Sequence, residues 1–398
     1  MAYAFEDRFP RPEFQTTYQL PKHIEAQPSF FKEPLFGLIF LILMMVLGGL
    51  ALYRYRNRNY VRLVSLLTLI FLGFLKSGCV CPIGSIQNVA AAFFNRAAPV
   101  SILLLLVFFL PLLASLYYGR LFCGVACPLG ALQDLFVLYP KKVPSYFDRA
   151  LRILPYMYFS LAILFAVNGL GFIICRYDPF IALFRISGTW LSWFLLLFFL
   201  LLGLFIARPY CRYLCPYSVL LRWFSRYSQK KVQTPKDHCV NCHLCKEACP
   251  FGAIVPPRPK KLQEAKENSL WRLRWLVALL PAILALGLVF GSLLTKPFLS
   301  LHREVQVVTQ LAKGQRQADE ASAFLINDGD LYALNERVAK VRRRMKIGCA
   351  LFGGFIALVL MFAAIDVSRR RQNETYEVDG EFCLACGRCY DFCPRNAK

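Results

Sequence analysis

The chain has 398 residues, 57% of them hydrophobic and 18% charged, with 16 cysteines, 4 histidines and a formal net charge of +23. High apolar content excludes an intrinsically disordered chain, and the length argues against a disulfide-stapled secreted domain. Lys and Arg flanking membrane spans account for most of the charge, and no basic soluble domain for a nucleic acid is visible.

Residues 1–34 are mixed in charge, hold four prolines and read as an extramembrane arm without a cleaved signal. Seven apolar segments of membrane-spanning character follow, over about 35–53, 61–77, 99–119, 153–174, 189–207, 273–294 and 346–366. Arg54, Arg56, Arg58 and Arg62, then Arg120, Lys141, Lys142, Arg149 and Arg152, then the basic stretch 208–272 fall on one side, which the positive-inside rule makes cytoplasmic. The C-terminus joins that side and the N-terminus lies outside, an orientation expected of a multi-pass protein of the bacterial inner membrane. Arg342, Arg343 and Arg344 in the outer loop 295–345 dissent. That loop reads as helical around 301–313 and 330–345 and carries no catalytic constellation.

Two segments match each other: Cys239-Val-Asn-Cys242-His-Leu-Cys245-Lys-Glu-Ala-Cys249-Pro250 and Cys383-Leu-Ala-Cys386-Gly-Arg-Cys389-Tyr-Asp-Phe-Cys393-Pro394. Both follow C-x2-C-x2-C-x3-C-P, the run that holds [4Fe–4S] clusters in bacterial ferredoxins. Zinc is the alternative, although zinc sites do not usually need the third cysteine and the x3-C-P ending. Cys239 to His243 also spells the C-x-x-C-H of haem attachment, but that would leave Cys245 and Cys249 unexplained, and the second copy has Gly387 where His243 stands. Resemblance to two-cluster ferredoxins assigns Cys239, Cys242, Cys245 and Cys393 to one cluster and Cys383, Cys386, Cys389 and Cys249 to the other. Two spans separate the runs, so both halves return to one face. The predicted domains are therefore the arm 1–34, a five-span domain 35–207, a first ferredoxin half 208–272, two spans with their outer loop 273–366, and a second half 367–398.

Three further motifs sit at span ends: Cys79-Val-Cys81-Pro82, Cys123-Gly-Val-Ala-Cys127-Pro128 and Cys211-Arg-Tyr-Leu-Cys215-Pro216. The first two continue alike, Cys81 to Asn88 against Cys127 to Asp134, an internal repeat in which Pro opens a helix. Such C-x3-C-P pairs with a ferredoxin run resemble the membrane ferredoxin-type quinol dehydrogenases of the NapH and NosR types. The resemblance covers roughly 60–398, and it implies a membrane all-α fold of about seven spans with a small split two-cluster module. It also implies electron transfer involving a membrane quinone and a redox partner on the outer side, a flavoprotein, cytochrome or reductase, within a complex. The 34-residue arm cannot hold the outer flavin domain of the NosR type, and Cys79 and Cys81 have x1 spacing.

Cys123, Cys127, Cys211 and Cys215 share the inner edge, where two readings stay open: a further cluster, or buried thiols packed as small hydrophobes. Arg120, Arg208 and Arg212 lie beside them, as counter-charge, as a quinone-headgroup site or as anchors of span ends. Cys79, Cys81 and Cys175 fall on the outer face, as a metal site, a disulfide or structural thiols. Cys349 reads as a packed side chain. Asp178 and Asp366 lie at span edges, and the near absence of intramembrane charge argues against an ion transporter. Electron donation to cofactor assembly and a zinc-holding structural protein are the competing functions.

Overall fold

The structure is a computed structural model that describes residues 33–78, 82–94, 100–230, 232–233, 239–257, 264–314, 324, 330–368 and 376–394. The arm expected over 1–34 therefore lies almost wholly outside the described residues, as do Cys79 and Cys81.

The chain is mostly helical. Among the described residues, five helices are long and apolar enough to cross a membrane: Pro34–Arg54, Arg58–Leu75, Tyr146–Val167, Leu273–Leu299 and Leu331–Asp366. A pair of helices, Pro179–Arg185 and Trp190–Gly203, meets at 106° and makes a sixth if taken as one broken span. Ile102–Tyr118 is apolar but shorter. The sequence predicts seven spans, and each of those segments overlaps one of these helices, five or six of which are long enough to cross. The fifth differs most, because Ile186 takes a left-handed conformation after Arg185 and the chain turns sharply there. Arg303–Ala312 is a separate helix. The second helical stretch of the outer loop is continuous with the last span as one helix, Leu331–Ser368. No Gly, Pro or cap stands between 331 and 347 to break it, so Arg342, Arg343 and Arg344 lie within that helix.

The start of the helix after Cys127 follows from proline. Cys127 caps Pro128–Phe136, and Pro128 occupies the first turn, where its missing N–H costs nothing. The last two spans pack at backbone contact. A Cβ on Gly287 would stand 2.6 Å from the Ala357 Cβ, and one on Gly353 would stand 2.7 Å from the Gly291 Cα. Small residues four apart allow such close approach where hydrocarbon offers no hydrophobic drive. The two helices therefore run side by side, antiparallel, and bring the start of the first and the end of the second together. There Ile254–Val255 pairs antiparallel with Glu377–Val378, in the register Ile254 to Val378 and Val255 to Glu377. Asp379 N donates to Ala253 O at 2.8 Å. The ferredoxin halves thus meet as one module.

Candidate metal centres

Each run folds as a loop with two left-handed residues at matching places. Asn241 (φ 51°) and His243 (φ 63°) correspond to Ala385 (φ 50°) and Gly387 (φ 69°). Alternating right- and left-handed residues turn successive amides inward into a nest that favours an anion. A short helix then follows in each, Leu244–Ala248 and Arg388–Asp391. His243 is held through its ring by the Tyr376 hydroxyl.

The thiols group across the runs. Those whose charge acts on Cys245 are Cys239, Cys242 and Cys393. Those acting on Cys389 are first Cys383, Cys386 and Cys249, then Cys245. Cys249, Cys383, Cys386 and Cys389 line one cavity, closed by Phe251 and Leu384. Four thiols around a space, under inward amides, fit the donor set of an iron–sulfur cluster. Among the described residues, no three His, Cys, Asp or Glu side chains close on the position of a single metal ion. Burial pushes the Cys383 thiol up to about 12, with the charges of Cys386 and Cys249 acting in the same direction. Loading the site therefore releases protons. Every described cysteine is a free thiol.

A third donor set adjoins the module. Cys123, on the turn Phe122–Ala126, and Cys127 approach Cys211, in the helix Pro209–Tyr213, and Cys215. Cys211, Cys123 and Cys127 all act electrostatically on Cys215, and all four are buried in the main hydrophobic core. Polar hydrogens point at the sulfurs. Gln133 Nε2 donates to Cys211 Sγ at 3.2 Å, and an Arg120 guanidinium nitrogen donates to Cys123 Sγ at 3.8 Å. Gln133 Oε1 accepts from Tyr210 N at 3.1 Å, which fixes the amide. Donors to sulfur stabilise the reduced, more negative state of a cluster. With iron bound there, Gln133→Leu should lower that site's midpoint potential and leave the ferredoxin module's potentials in place, as read by redox titration with EPR.

Arg120, Arg208 and Arg212 are 3%, 0% and 8% exposed, so they are interior groups and do not anchor span ends in the headgroup region. Arg208 donates to Asp134 and to the Cys123 and Gly124 carbonyls. Arg120 donates to Glu381 O at 3.1 Å and Arg212 to Pro250 O at 3.0 Å. Arg152 donates to Phe251 O at 3.4 Å and lies 3.7 Å over the Phe382 ring. The arginines therefore bind both halves of the module to the membrane domain. Gly124 completes the contact. A Cβ there would collide with the Leu384 carbonyl oxygen and stand 2.6 Å from that of Ala385. The loop between Cys383 and Cys386 rests directly on the residue after Cys123.

Of the Cys79, Cys81 and Cys175 set, only Cys175 is among the described residues. Cys79 and Cys81 lie outside the described residues, whereas the Cys175 sulfur is 3.3 Å from where a Cβ on Gly84 would sit, close to Pro82. Gln87 Oε1 accepts from Ile174 N at 3.0 Å, as Gln133 does from Tyr210 N. The repeat thus extends to tertiary contacts: each repeat's Gln holds the amide just before a Cys-Arg-Tyr sequence. Asp178 is buried, accepting from Phe180 N at 2.9 Å and from the Tyr210 hydroxyl at 2.6 Å. Cys349 is buried with Leu164 and Met345. Nothing in the sequence places the Gln, Gly124 or Arg152 contacts, although the repeated Gln is a signal for the first.

Comparison with known proteins agrees with this chemistry. A 4Fe-4S binding domain family matches residues 59–101, 100–145 and 187–235, and a second family of the same description matches 232–255 and 376–398. The chain therefore carries ferredoxin-type 4Fe-4S binding domains. It is similar to two uncharacterized proteins of Methanocaldococcus jannaschii. MJ0749 is 35% identical over 79 residues, 20% of this chain and 32% of the relative. MJ0750 is 36% identical over 77 residues, 19% of this chain and 32% of the relative. It is also similar to YccM of Escherichia coli K12, a candidate electron transport protein, at 39% over 51 residues, 13% of this chain and 14% of that one. The chain spans about a third or less of the length of these relatives. No solved structure matches it.

Proposed function

We propose that the chain is an integral membrane iron–sulfur electron-transfer protein of the kind represented by the NapH and NosR quinol dehydrogenases. In this reading it has seven spans, an outer N-terminus and a ferredoxin module on the cytoplasmic side of a bacterial inner membrane. One observation supports the reading: the loop between Cys383 and Cys386 is seated on Gly124, beside Cys123 of the buried Cys123, Cys127, Cys211 and Cys215 group. Cys239, Cys242, Cys245 and Cys393 would hold one [4Fe–4S] cluster, and Cys383, Cys386, Cys389 and Cys249 a second. Cys123, Cys127, Cys211 and Cys215 would hold a third.

Bound clusters supply reversible one-electron storage. The residues supply spacing, dryness and charge. Arg120 and Arg208 stand between the second and third sets, since Arg120 acts on Cys383 and Arg208 is influenced by both Cys211 and Cys386. Their fixed positive charge offsets the added electron in an interior where charge is costly. Hydrocarbon about 30 Å thick separates the faces, and sites at different depths shorten each transfer. Cys175, with Cys79 and Cys81, is the candidate at the outer end, where a redox partner protein docks. The membrane quinone pool is the other terminus.

Anaerobic purification, iron and sulfide counting and EPR after stepwise reduction test the reading. About twelve iron atoms per chain are expected from three four-iron sites. About eight would leave the membrane-edge thiols unligated, and zinc in place of iron would end the electron-transfer reading.

A further inference from the structure

A slot of about 410 Å³ lies between the helices Leu154–Val167 and Leu331–Ser368. Its floor is tight: a Cβ on Gly348 would stand 2.6 Å from Leu164 Cδ1, and Leu164, Met345 and Cys349 pack together behind it. Its open side is marked by Ile347 and Leu351, lining residues that are 55% and 63% exposed. The walls are apolar as far as Phe159 and Phe355, and Arg344 borders the opposite end. The volume is at the small end of ligand sites, which run from about 300 to 1,000 Å³. One slender chain fits better than two.

The length is informative. From Arg344 to Phe355 the helix rises about 16 Å, at about 1.5 Å per residue. Half of a hydrocarbon core about 30 Å thick is about 15 Å. Lys346 is the last charge before the apolar run of that helix. The slot therefore runs the depth of one leaflet, with its cation at the level of lipid phosphates.

The charges select the headgroup. Further up the same helix, Arg337 is paired with Glu304 at 3.0 Å and Lys340 with Glu336 at 2.7 Å. Arg344 is exposed and has no hydrogen bond or ion pair with any described residue. Arg342, Arg343 and Lys346 add positive charge beside it, with no acid among them. A phosphate monoanion suits this end. A zwitterionic headgroup would bring an ammonium as well. The described carboxylates on that side, Asp330, Glu304 and Glu336, already serve Tyr332 N, Arg337 and Lys340.

We infer that the slot holds one acyl chain of an anionic glycerophospholipid with an otherwise neutral headgroup, its phosphate accepting from the Arg344 guanidinium. The inference uses the membrane placement of these helices and not the electron-transfer reading. It also gives a reason for basic residues at a place where the positive-inside rule does not expect them.

The test uses the full chain, purified anaerobically with its clusters in detergent, and dioleoyl phosphatidylglycerol and dioleoyl phosphatidylcholine as paired probes. Native mass spectrometry counts lipid bound per chain over a titration. The wild type should bind one phosphatidylglycerol about tenfold more tightly than phosphatidylcholine, the size of one hydrogen bond to a charged group. Arg344→Gln should lower phosphatidylglycerol affinity about tenfold and abolish the preference. Leu351→Trp places bulk in the slot and should weaken both lipids. Arg342→Gln removes the same charge about 200° around the helix from Arg344. It should stay within about twofold of the wild type, as for an exposed charge. A phosphatidylglycerol with a diazirine at its acyl end should photolabel residues near 159 or 355, not near 344. Equal binding of the two lipids, equal losses in Arg342→Gln and Arg344→Gln, or full affinity in Leu351→Trp would overturn the site. Iron content and cluster EPR should be unchanged in all these variants. A chain that binds the lipid as expected but holds no iron would overturn the electron-transfer reading and leave this site standing.

Discussion

Replacing Cys249 with alanine should empty the site of the other run. In wild type, Cys249 faces Cys383, Cys386 and Cys389 around one cavity, while Cys245, from its own run, is grouped with Cys239, Cys242 and Cys393. The expected result is a loss of about four iron atoms and of one EPR signal, with the Cys239 site still loaded. Cys393→Ala should do the converse. The exchange also fixes how the variants combine. Cys249→Ala and Cys383→Ala remove ligands from one cluster, so the double variant should lose no more iron than either single. Cys249→Ala with Cys393→Ala should lose about eight. If each run instead held its own cluster, Cys249→Ala with Cys239→Ala would be the non-additive pair. Iron analysis of these variants separates the two arrangements. Because each proposed cluster takes ligands from both halves, its loss should also loosen the pairing of Ile254–Val255 with Glu377–Val378, read as faster amide exchange there.

Which parts of this architecture the sequence discloses depends on whether the information is local. The ferredoxin spacing is local, since a run of eleven residues folds one loop, and its two copies predict a shared module through the parity of intervening spans. Apolar run length is local too, so the apolar helices emerge near the expected places. Their exact ends do not, because a helix stops where a cap or a left-handed residue stops it. Ile186 does so after Arg185, while nothing does between Leu331 and Ser368. The four membrane-edge thiols are visible as paired C-x3-C-P motifs, but only folding decides that Cys123 and Cys127 face Cys211 and Cys215.

The arginines are the clearest case of information that is not local. In sequence, Arg120, Arg208 and Arg212 look like the basic flanks of spans. In the fold they turn inward and satisfy backbone carbonyls of segments far along the chain. A left-handed Arg208 (φ 50°) at the start of Pro209–Tyr213 has no sequence signature at all. The same holds for the repeated Gln. Its recurrence is legible, but its partner, an amide preceding a cysteine, belongs to another element.

Gly124→Val should uncouple the ferredoxin module from the membrane domain without emptying either. Gly124 is the point where the loop carrying Cys383 and Cys386 touches the turn carrying Cys123, and the atoms a new Cβ would meet are the backbone carbonyls of Leu384 and Ala385. Backbone cannot rotate aside as a side chain can, so the loop must lift. Such overpacking costs about 1–3 kcal/mol, which weakens docking by roughly five- to more than a hundredfold. The thiols themselves are not changed, and iron content should stay near the wild-type value. Two measurements should move together: amide exchange across 376–394 should quicken, and electron transfer between the module and the membrane-edge site should slow by about tenfold or more, in proportion to the lost docking. Gly124→Ala, which lacks the branching methyls, should fall between. Unaltered exchange and transfer in the valine variant would mean that the Arg120 and Arg212 bonds alone hold the module in place, and that the close approach at Gly124 is not the route between the two sites.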